Sequence, residues 1–489
     1  MVAARTGEQY RADMNDAREV WLGEDKIAVA DDPRFQGSIN GMAGYFDWQH
    51  THADICLVDD PERPGEKMNV SHVVPRTAED LAIRHKGLEQ LSRYSYGMLG
   101  RTPDYVNVVL AGHVARRDIY DAGGDPVFHE RLRKFQREVI EGDLSMTHTI
   151  IHAAIDKGVP ELQGMNSDLT LRVVERNDEG IVVRGAKILA TLGPFADEIF
   201  VYPSAPVPAG AEEYALCFSV PVKTKGVITV CRDHYGLPED IADRPFSSRF
   251  DEQDAFVIFE DVLIPWERVF CDGNLAVYNK ISPAVSPSNT AQQITIRAMV
   301  KLEFAYDLCS QIAKVSNSDK RPEVAVMLGE IHTYMVLTRA MVIAAEARAS
   351  NHSTGDEPAF FPHPDLSALR CVMPGWMMRV NDIIKHIGAH NLLATPTHAA
   401  FKNPAMGDVL RKYLPGANGM SAEERAILMR TAWDFAGSAL GSRVELYEMF
   451  YFGSAGRGFM TDHMVAQMNG EGGQVKEFLK AAGAWKVPE

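Results

Sequence analysis

The feature that most constrains this 489-residue chain is a double change of hydrophobic period. Apolar residues recur at helical spacing in the first third. They alternate in short runs from about residue 168 to Trp266, and return to helical spacing after about residue 285. That pattern predicts three regions in series: helical over 1–144, β over 145–272 and helical over 273–489. Thr6-Gly7-Glu8-Gln9 has the form of a capping box, and Thr77-Ala78-Glu79-Asp80 can open a second helix. The second stripe runs through Leu81, Leu88, Leu91 and Met98 towards Gly100, and a further helix is expected around Phe128–Ile140. A hairpin is expected at Asn177–Gly180, followed by β-rich runs over 198–204, 213–222, 226–233 and 250–265. Late in the chain Leu302, Tyr306, Cys309 and Ala313 share one face. Val324–Ser350, Leu366–His390 and Ala422–Gly453 are each long enough for a helix, with a kink expected at Pro374.

Composition removes several classes of function. Lys plus Arg is 50 against 66 Asp plus Glu, a formal net charge of -16, which disfavours nucleic acid and anionic membranes as partners. The 6 cysteines form no CxxC pair, which fits reduced thiols better than a disulfide framework. The first residues, MVAARTGEQYRADMNDAR, contain no apolar core of a secretory leader. The most apolar window, Tyr334–Ala349, is interrupted by Arg339 and Glu346, so no membrane span is expected. A soluble cytoplasmic protein is the expectation.

Four short constellations could carry chemistry. In Gly100-Arg101-Thr102-Pro103-Asp104-Tyr105, proline stiffens a break after a helix and displays a fixed cation beside a phenol. The pair suits an anionic or phenolic oxygen, although an Arg–Asp bridge with a packed Tyr is the plainer reading. His148-Thr149-Ile150-Ile151-His152 holds two histidines at i, i+4, able to exchange protons near neutrality. A metal pair is disfavoured there, because the HExxH glutamate and a third ligand are missing. Thr191 precedes a Gly-Pro turn, and Phe452-Gly453-Ser454-Ala455-Gly456-Arg457-Gly458 could let backbone approach a phosphate. Each of the last two is as readily a strand end or a helix end.

Taken together, the helical–β–helical order resembles the acyl-CoA dehydrogenase architecture: an N-terminal α domain, a middle β-barrel domain and a C-terminal four-helix bundle. The motifs resemble the family of oxygenase components of 4-hydroxyphenylacetate 3-monooxygenase, the two-component phenol hydroxylases. The likeness is carried by the Gly100–Tyr105 run, Thr147-His148 with Ile155-Asp156, Ala190–Glu198 and Phe259–Arg268. It implies an ortho-hydroxylation of a 4-hydroxyphenyl substrate through a flavin C4a-hydroperoxide. FAD would be used as FADH2 from a separate NAD(P)H-flavin reductase, with O2 as co-substrate and no metal. By this resemblance Arg101, Tyr105 and His148 are catalytic, and Thr102, Pro103, Asp104, Pro203 and Ser204 join them around the substrate. Pro203–Glu213 would be the variable substrate loop. Flavin contacts would fall on His148, Thr149, Ile150, Ala154, Ile155, Asp156, Lys157, Thr191, Gly453, Ser454, Ala455 and Gly456. Lys157 stands where the family carries Arg, and Ser454-Ala455-Gly456 where an Asp-Pro pair is common. The resemblance also implies a homotetramer. Two rival enzymes share the architecture. An acyl-CoA dehydrogenase needs a bundle carboxylate, for which Glu303, Glu330 and Glu346 are candidates. A 4-hydroxybutyryl-CoA dehydratase needs cysteine ligands near the first motif, and no cysteine lies between Cys56 and Cys217. A non-enzymatic helical scaffold is the remaining alternative.

Overall fold

The computed structural model describes residues 4–153, 169–236 and 241–485. Both capping boxes form. Thr6 and Thr77 accept from the third helical amide, and Gln9 and Asp80 reach back, opening the helices Gly7–Asp13 and Ala78–Arg93. The second helix stops short of its apolar stripe. Tyr96 and Gly97 take positive φ, which a right-handed helix cannot continue, so Met98 and Leu99 lie in the turn that leads to Arg101. The next helix, Pro103–Ala115, is buried at all 13 residues. Pro103 stands in its first turn, where a missing N–H breaks no helical bond. A helix this apolar on every side belongs in a core, and here it fixes the corner that precedes it.

The β region forms two sheets. In the larger, the strands run in the order Asp25–Ile27, Glu19–Leu22, Val227–Cys231, Asp254–Pro265 and Gly180–Thr191. Ile151–His152 and Arg172–Arg176 both pair with the last of these. The Asn177 hairpin is present: its side-chain oxygen accepts from the amides of Glu179 and Gly180. The smaller sheet has the order Val269–Asp272, Leu216–Pro221, Glu198–Val201 and Met146–His148. Val183, Ile199, Phe218, Val257 and Phe259 fill the space between strands as one apolar cluster. The first region is therefore not helical throughout. Glu19–Leu22 crosses into the β region and pairs parallel with Val227–Cys231. Its 4 residues are too few for an alternation to be read against the helices around it.

The two helical regions share one core rather than standing apart. Ala78–Arg93 packs on Ala291–Val315, and that helix packs in turn on Pro322–Ala347, Leu369–Gly388 and Ala422–Ala436. Pro374 lies inside Leu369–Gly388 without ending it. The stretch 422–453 is two helices. Gly437 closes Ala422–Ala436, and Ser438 caps Ala439–Tyr451 by accepting from the Gly441 amide. By length and composition alone, Pro322–Ala347 passes as a membrane span, contrary to the sequence expectation. It packs along Ala291–Val315 and carries the Glu330–Arg379 ion pair at 3.0 Å. Beyond Phe452, Ala455–Met468 and Gln474–Ala481 bury no residue at all.

Candidate active site

The site is built where the turn after Arg93, the smaller sheet and the helix Ala439–Tyr451 meet. The amides of Gly100 and Arg101 both donate to Glu252 Oε1 at 2.6 Å, which fixes the corner from the β region. A Cβ at Gly100 would come within 2.4 Å of the Tyr447 ring, so only glycine lets that ring close on the turn. The Arg101 guanidinium is buried, and it meets no carboxylate among the described residues. It lies instead over the rings of Tyr105 at 3.9 Å, Tyr451 at 4.5 Å and Tyr447 at 5.4 Å. The Arg–Asp bridge considered from the sequence does not form. Asp104 turns inward, accepting from Tyr45 Oη at 2.9 Å and Gln293 Nε2 at 2.8 Å, and Gln293 Oε1 accepts from Tyr451 Oη at 3.1 Å. Asp104 thereby orients Tyr451. Burial raises its pKa, against the hydrogen bonds it accepts.

His148 ends the strand Met146–His148, which pairs parallel with Glu198–Val201. Its ring stacks on Tyr105 at 5.2 Å and lies 5.3 Å from Tyr202, whose hydroxyl is 3.4 Å from that of Tyr105. Burial drives the imidazole pKa well below its ordinary value, and the nearby Arg101 charge lowers it further. His148 is therefore a neutral base near pH 7. Burial raises the pKa values of Tyr202, Tyr447 and Tyr451, so their hydroxyls stay protonated. His148 Nδ1, Thr149 Oγ1 and Tyr447 Oη are buried with no hydrogen-bond partner among the described residues. A buried polar atom left this way costs roughly 1–3 kcal/mol, which a ligand of matching polarity would recover. An uncompensated cation, a neutral base and a ring of hydroxyls suit an aromatic ligand whose oxygen gains negative charge.

The remaining sequence candidates surround this core unevenly. Thr191 donates to Asp254 Oδ1 at 2.8 Å, and its backbone oxygen accepts from Thr147 Oγ1. Pro203 follows Tyr202, and its carbonyl accepts from Ser282 Oγ. Ser204 is exposed and donates to the Ile150 carbonyl at 3.0 Å. Gly453, at φ +86, follows Tyr451 and Phe452; Ser454 leads into the helix that contains Ala455 and Gly456. Arg370 holds this turn to the site, donating to the Phe452 carbonyl at 2.7 Å and to Ser286 Oγ at 3.1 Å. Ala154, Ile155, Asp156 and Lys157 lie outside the described residues. The i, i+4 spacing of His148 and His152 is not helical: each sits on a different sheet, His152 against Lys187 on Gly180–Thr191. No metal-binding group of three side chains occurs among the described residues. Sequence reasoning missed Tyr202, Tyr447, Tyr451, Glu252 and Arg370. Only the helical spacing of Tyr447 and Tyr451 was available as a signal.

Fold and site together define a chain of the two-component phenol-hydroxylase type. The family model described as 4-hydroxyphenylacetate 3-hydroxylase N terminal matches residues 6–271, and its C-terminal counterpart matches 286–480. The chain belongs to that family. It is 33% identical over 485 residues to the 4-hydroxyphenylacetate 3-monooxygenase oxygenase component of Thermus thermophilus, covering 98% of each chain. It is 31% identical to a Streptomyces globisporus monooxygenase named for a 3-amino-3-(3-chloro-4-hydroxyphenyl)propanoyl group on a peptidyl-carrier protein, covering 92% of this chain and 85% of that one. A solved 4-hydroxyphenylacetate 3-monooxygenase oxygenase component, complexed with FAD and 4-hydroxyphenylacetate, superimposes with a TM-score of 0.91 at 32% identity, over 98% of this chain and 99% of that one. A 4-hydroxybutyryl-CoA dehydratase from N. maritimus superimposes at 0.86 with 19% identity, over 99% of this chain and 96% of that one, which shows the shared fold alone.

Proposed function

We propose that the chain is the oxygenase component of a two-component monooxygenase that hydroxylates a phenol ortho to its hydroxyl. The observation that carries this reading is Arg101: a buried guanidinium with no carboxylate partner among the described residues, stacked on tyrosines and facing the neutral His148. The reduced flavin, delivered by a separate reductase, supplies two electrons and activates O2. One oxygen atom enters the ring and the other leaves as water. A ring nitrogen of His148 accepts the phenol proton, which makes the ortho carbon more nucleophilic. Arg101 stabilises the oxygen that gains charge, and Tyr105, braced by Tyr202, sets its position. The surrounding rings exclude water.

His148, Thr149, Ile150, Thr191 and the turn Gly453–Gly456 form the flavin side of the site in this reading, with Pro203 and Ser204 at the substrate mouth. The Thr149 hydroxyl, buried and without a hydrogen-bond partner among the described residues, supports it. The layout follows the acyl-CoA dehydrogenase plan, with a β-barrel between an α domain and a four-helix bundle. The exposed apolar residues beyond Phe452, among them Phe459, Met464, Met468 and Phe478, are covered by further copies in a cytoplasmic homotetramer. The test is a panel of 4-substituted phenols supplied with NADH, FAD and a generic flavin reductase, scored for catechol. Catechol from at least one phenol is expected; consumption of NADH with peroxide alone across the panel would refute the reading.

A further inference from the structure

The outer wall of the site is organised around one guanidinium. Arg443, on the helix Ala439–Tyr451, donates through Nη1 to Glu252 Oε2 at 2.7 Å and through Nε to Asp254 Oδ2 at 2.7 Å, and its Nη2 donates to Asp254 Oδ1. Glu252 uses its other oxygen to hold the amides of Gly100 and Arg101. Asp254 also accepts from Arg232 Nε at 3.0 Å and from Thr191 Oγ1 at 2.8 Å. All these partners are donors. Glu252 and Asp254 meet N–H or O–H groups on both oxygens, a role that only a carboxylate, and not an amide, can fill.

The polarity of Thr191 follows from this arrangement. A carboxylate clamped by two guanidiniums accepts and does not donate, so the Thr191 hydroxyl must spend its only proton on Asp254. What Thr191 offers to any other neighbour is therefore a lone pair. We propose that Arg443, through Glu252 and Asp254, is a positioning residue for both halves of the site: Glu252 places the Arg101 corner, and Asp254 fixes Thr191 as an acceptor that selects a ring presenting an N–H. This rests on the placement of Thr191 on the flavin side. Reduction of a flavin converts a ring nitrogen from acceptor to N–H donor. An obligate acceptor at that point favours the reduced ring and disfavours the oxidised one.

The carboxylate geometry also predicts what an amide does. In Asp254→Asn the amide oxygen keeps the two guanidinium contacts made at Oδ2, and the NH2 group takes the Oδ1 position against Thr191, at the cost of the Arg443 Nη2 hydrogen bond. The hydroxyl then accepts from Asn and is free to donate outward, so its polarity is reversed. The experiment measures dissociation constants of the full-length protein for reduced FAD, under anaerobic conditions, and for oxidised FAD. Wild type should bind the reduced form more tightly. Asp254→Asn and Thr191→Val should each lower that preference about tenfold, the worth of one hydrogen bond. The double variant should fall no further than Asp254→Asn. Glu252→Gln should leave the preference within about twofold while weakening binding of a phenol to the flavin-loaded protein, which separates the two arms from general damage to the fold. Arg443→Lys, which keeps the charge but loses the fork, should impair both. Should Asp254→Asn not fold, Thr191→Val carries the test alone. A reduced-over-oxidised preference unchanged within twofold in Thr191→Val, or in a folded Asp254→Asn, would overturn the proposal. Failure of wild type to bind either form would instead sink the flavin reading beneath it.

Discussion

The Arg101 corner and the arm beyond Phe452 are opposite kinds of surface. Around Arg101 the residues hold one another in a chain of hydrogen bonds: Tyr451 by Gln293, Gln293 by Asp104, Tyr105 by Tyr202, and the turn by Glu252. A second layer backs the first, since Glu448 accepts from Arg297 and Lys301 at 2.7 Å and Arg297 also lies 4.1 Å from the Tyr451 ring. Burial opposes the Glu448 charge, but those two cations outweigh it and hold its pKa at about 2. The arm has no such layer. Its helices bury nothing, and Met468 is 83% exposed. The contrast shows where each part gets its order. The corner is pre-organised inside one chain, which is what charge stabilisation in a transition state requires. The arm presents an apolar face whose natural complement is another molecule.

If the corner works as a fixed unit, removing its base should have the largest effect. His148→Ala is expected to cut product formation by about a hundredfold or more, while flavin still binds and its reoxidation yields peroxide. Product per flavin oxidised, measured in single turnover, checks this; a wild-type yield would remove His148 from the chemistry. Arg101→Met should follow, weakening phenol binding by roughly 10- to 100-fold, because it deletes a charge-assisted hydrogen bond but keeps the bulk over Tyr105. Equilibrium titration of the phenol measures it. The arm should respond in another observable. Replacing Phe459, Met464 and Phe478 with Ser is expected to shift light scattering towards smaller species. It should change the near-ultraviolet circular dichroism of the buried tyrosines little. Loss of that signal would mean that the arm is part of the core.

Of the corner, the proline break that displays Arg101 and Tyr105 is local and can be read from its neighbours. The roles given to those residues and to His148 come from the family resemblance, and the 3-residue strand that His148 ends is too short to show a period. The fold was legible where period and caps agreed, as at Thr77 and Asn177. The rest was not, for reasons of distance and length. Glu252 meets Gly100, and Tyr447 meets Arg101, through contacts far apart in sequence, and no local pattern encodes such a pairing. The strand Glu19–Leu22 is too short to show a period. The positive φ at Tyr96 is imposed by the turn onto a residue with no preference for it. The Arg–Asp bridge weighed for Arg101 and Asp104 does not form, because Tyr45 and Gln293, both remote in sequence, occupy the Asp104 carboxylate.

The smallest effect concerns protons, and it asks whether acid loosens the corner before the arm. His113, in the buried helix Pro103–Ala115, stands edge-on to Tyr202 at 5.7 Å, and burial holds its pKa at about 3. His152 is held at about 3 by burial and then by the Lys187 charge. Both values are depressed relative to an unfolded histidine near 6.5. The neutral form is therefore favoured by folding, and the stability this confers is present above about pH 6.5 and is lost as pH falls towards 3. At most each histidine costs about 1.4 kcal/mol per pH unit in that window. Between pH 7 and 6 the unfolded chain takes up only about half a proton per histidine, or ~0.7 kcal/mol. His113→Leu should remove that increment. Urea unfolding of wild type and variant at the two pH values, followed by tyrosine fluorescence, should show the variant losing less stability on acidification by this amount. Equal losses in the two proteins would mean that His113 is already protonated in the folded chain, and that the wall behind Tyr202 is wetter than its burial implies.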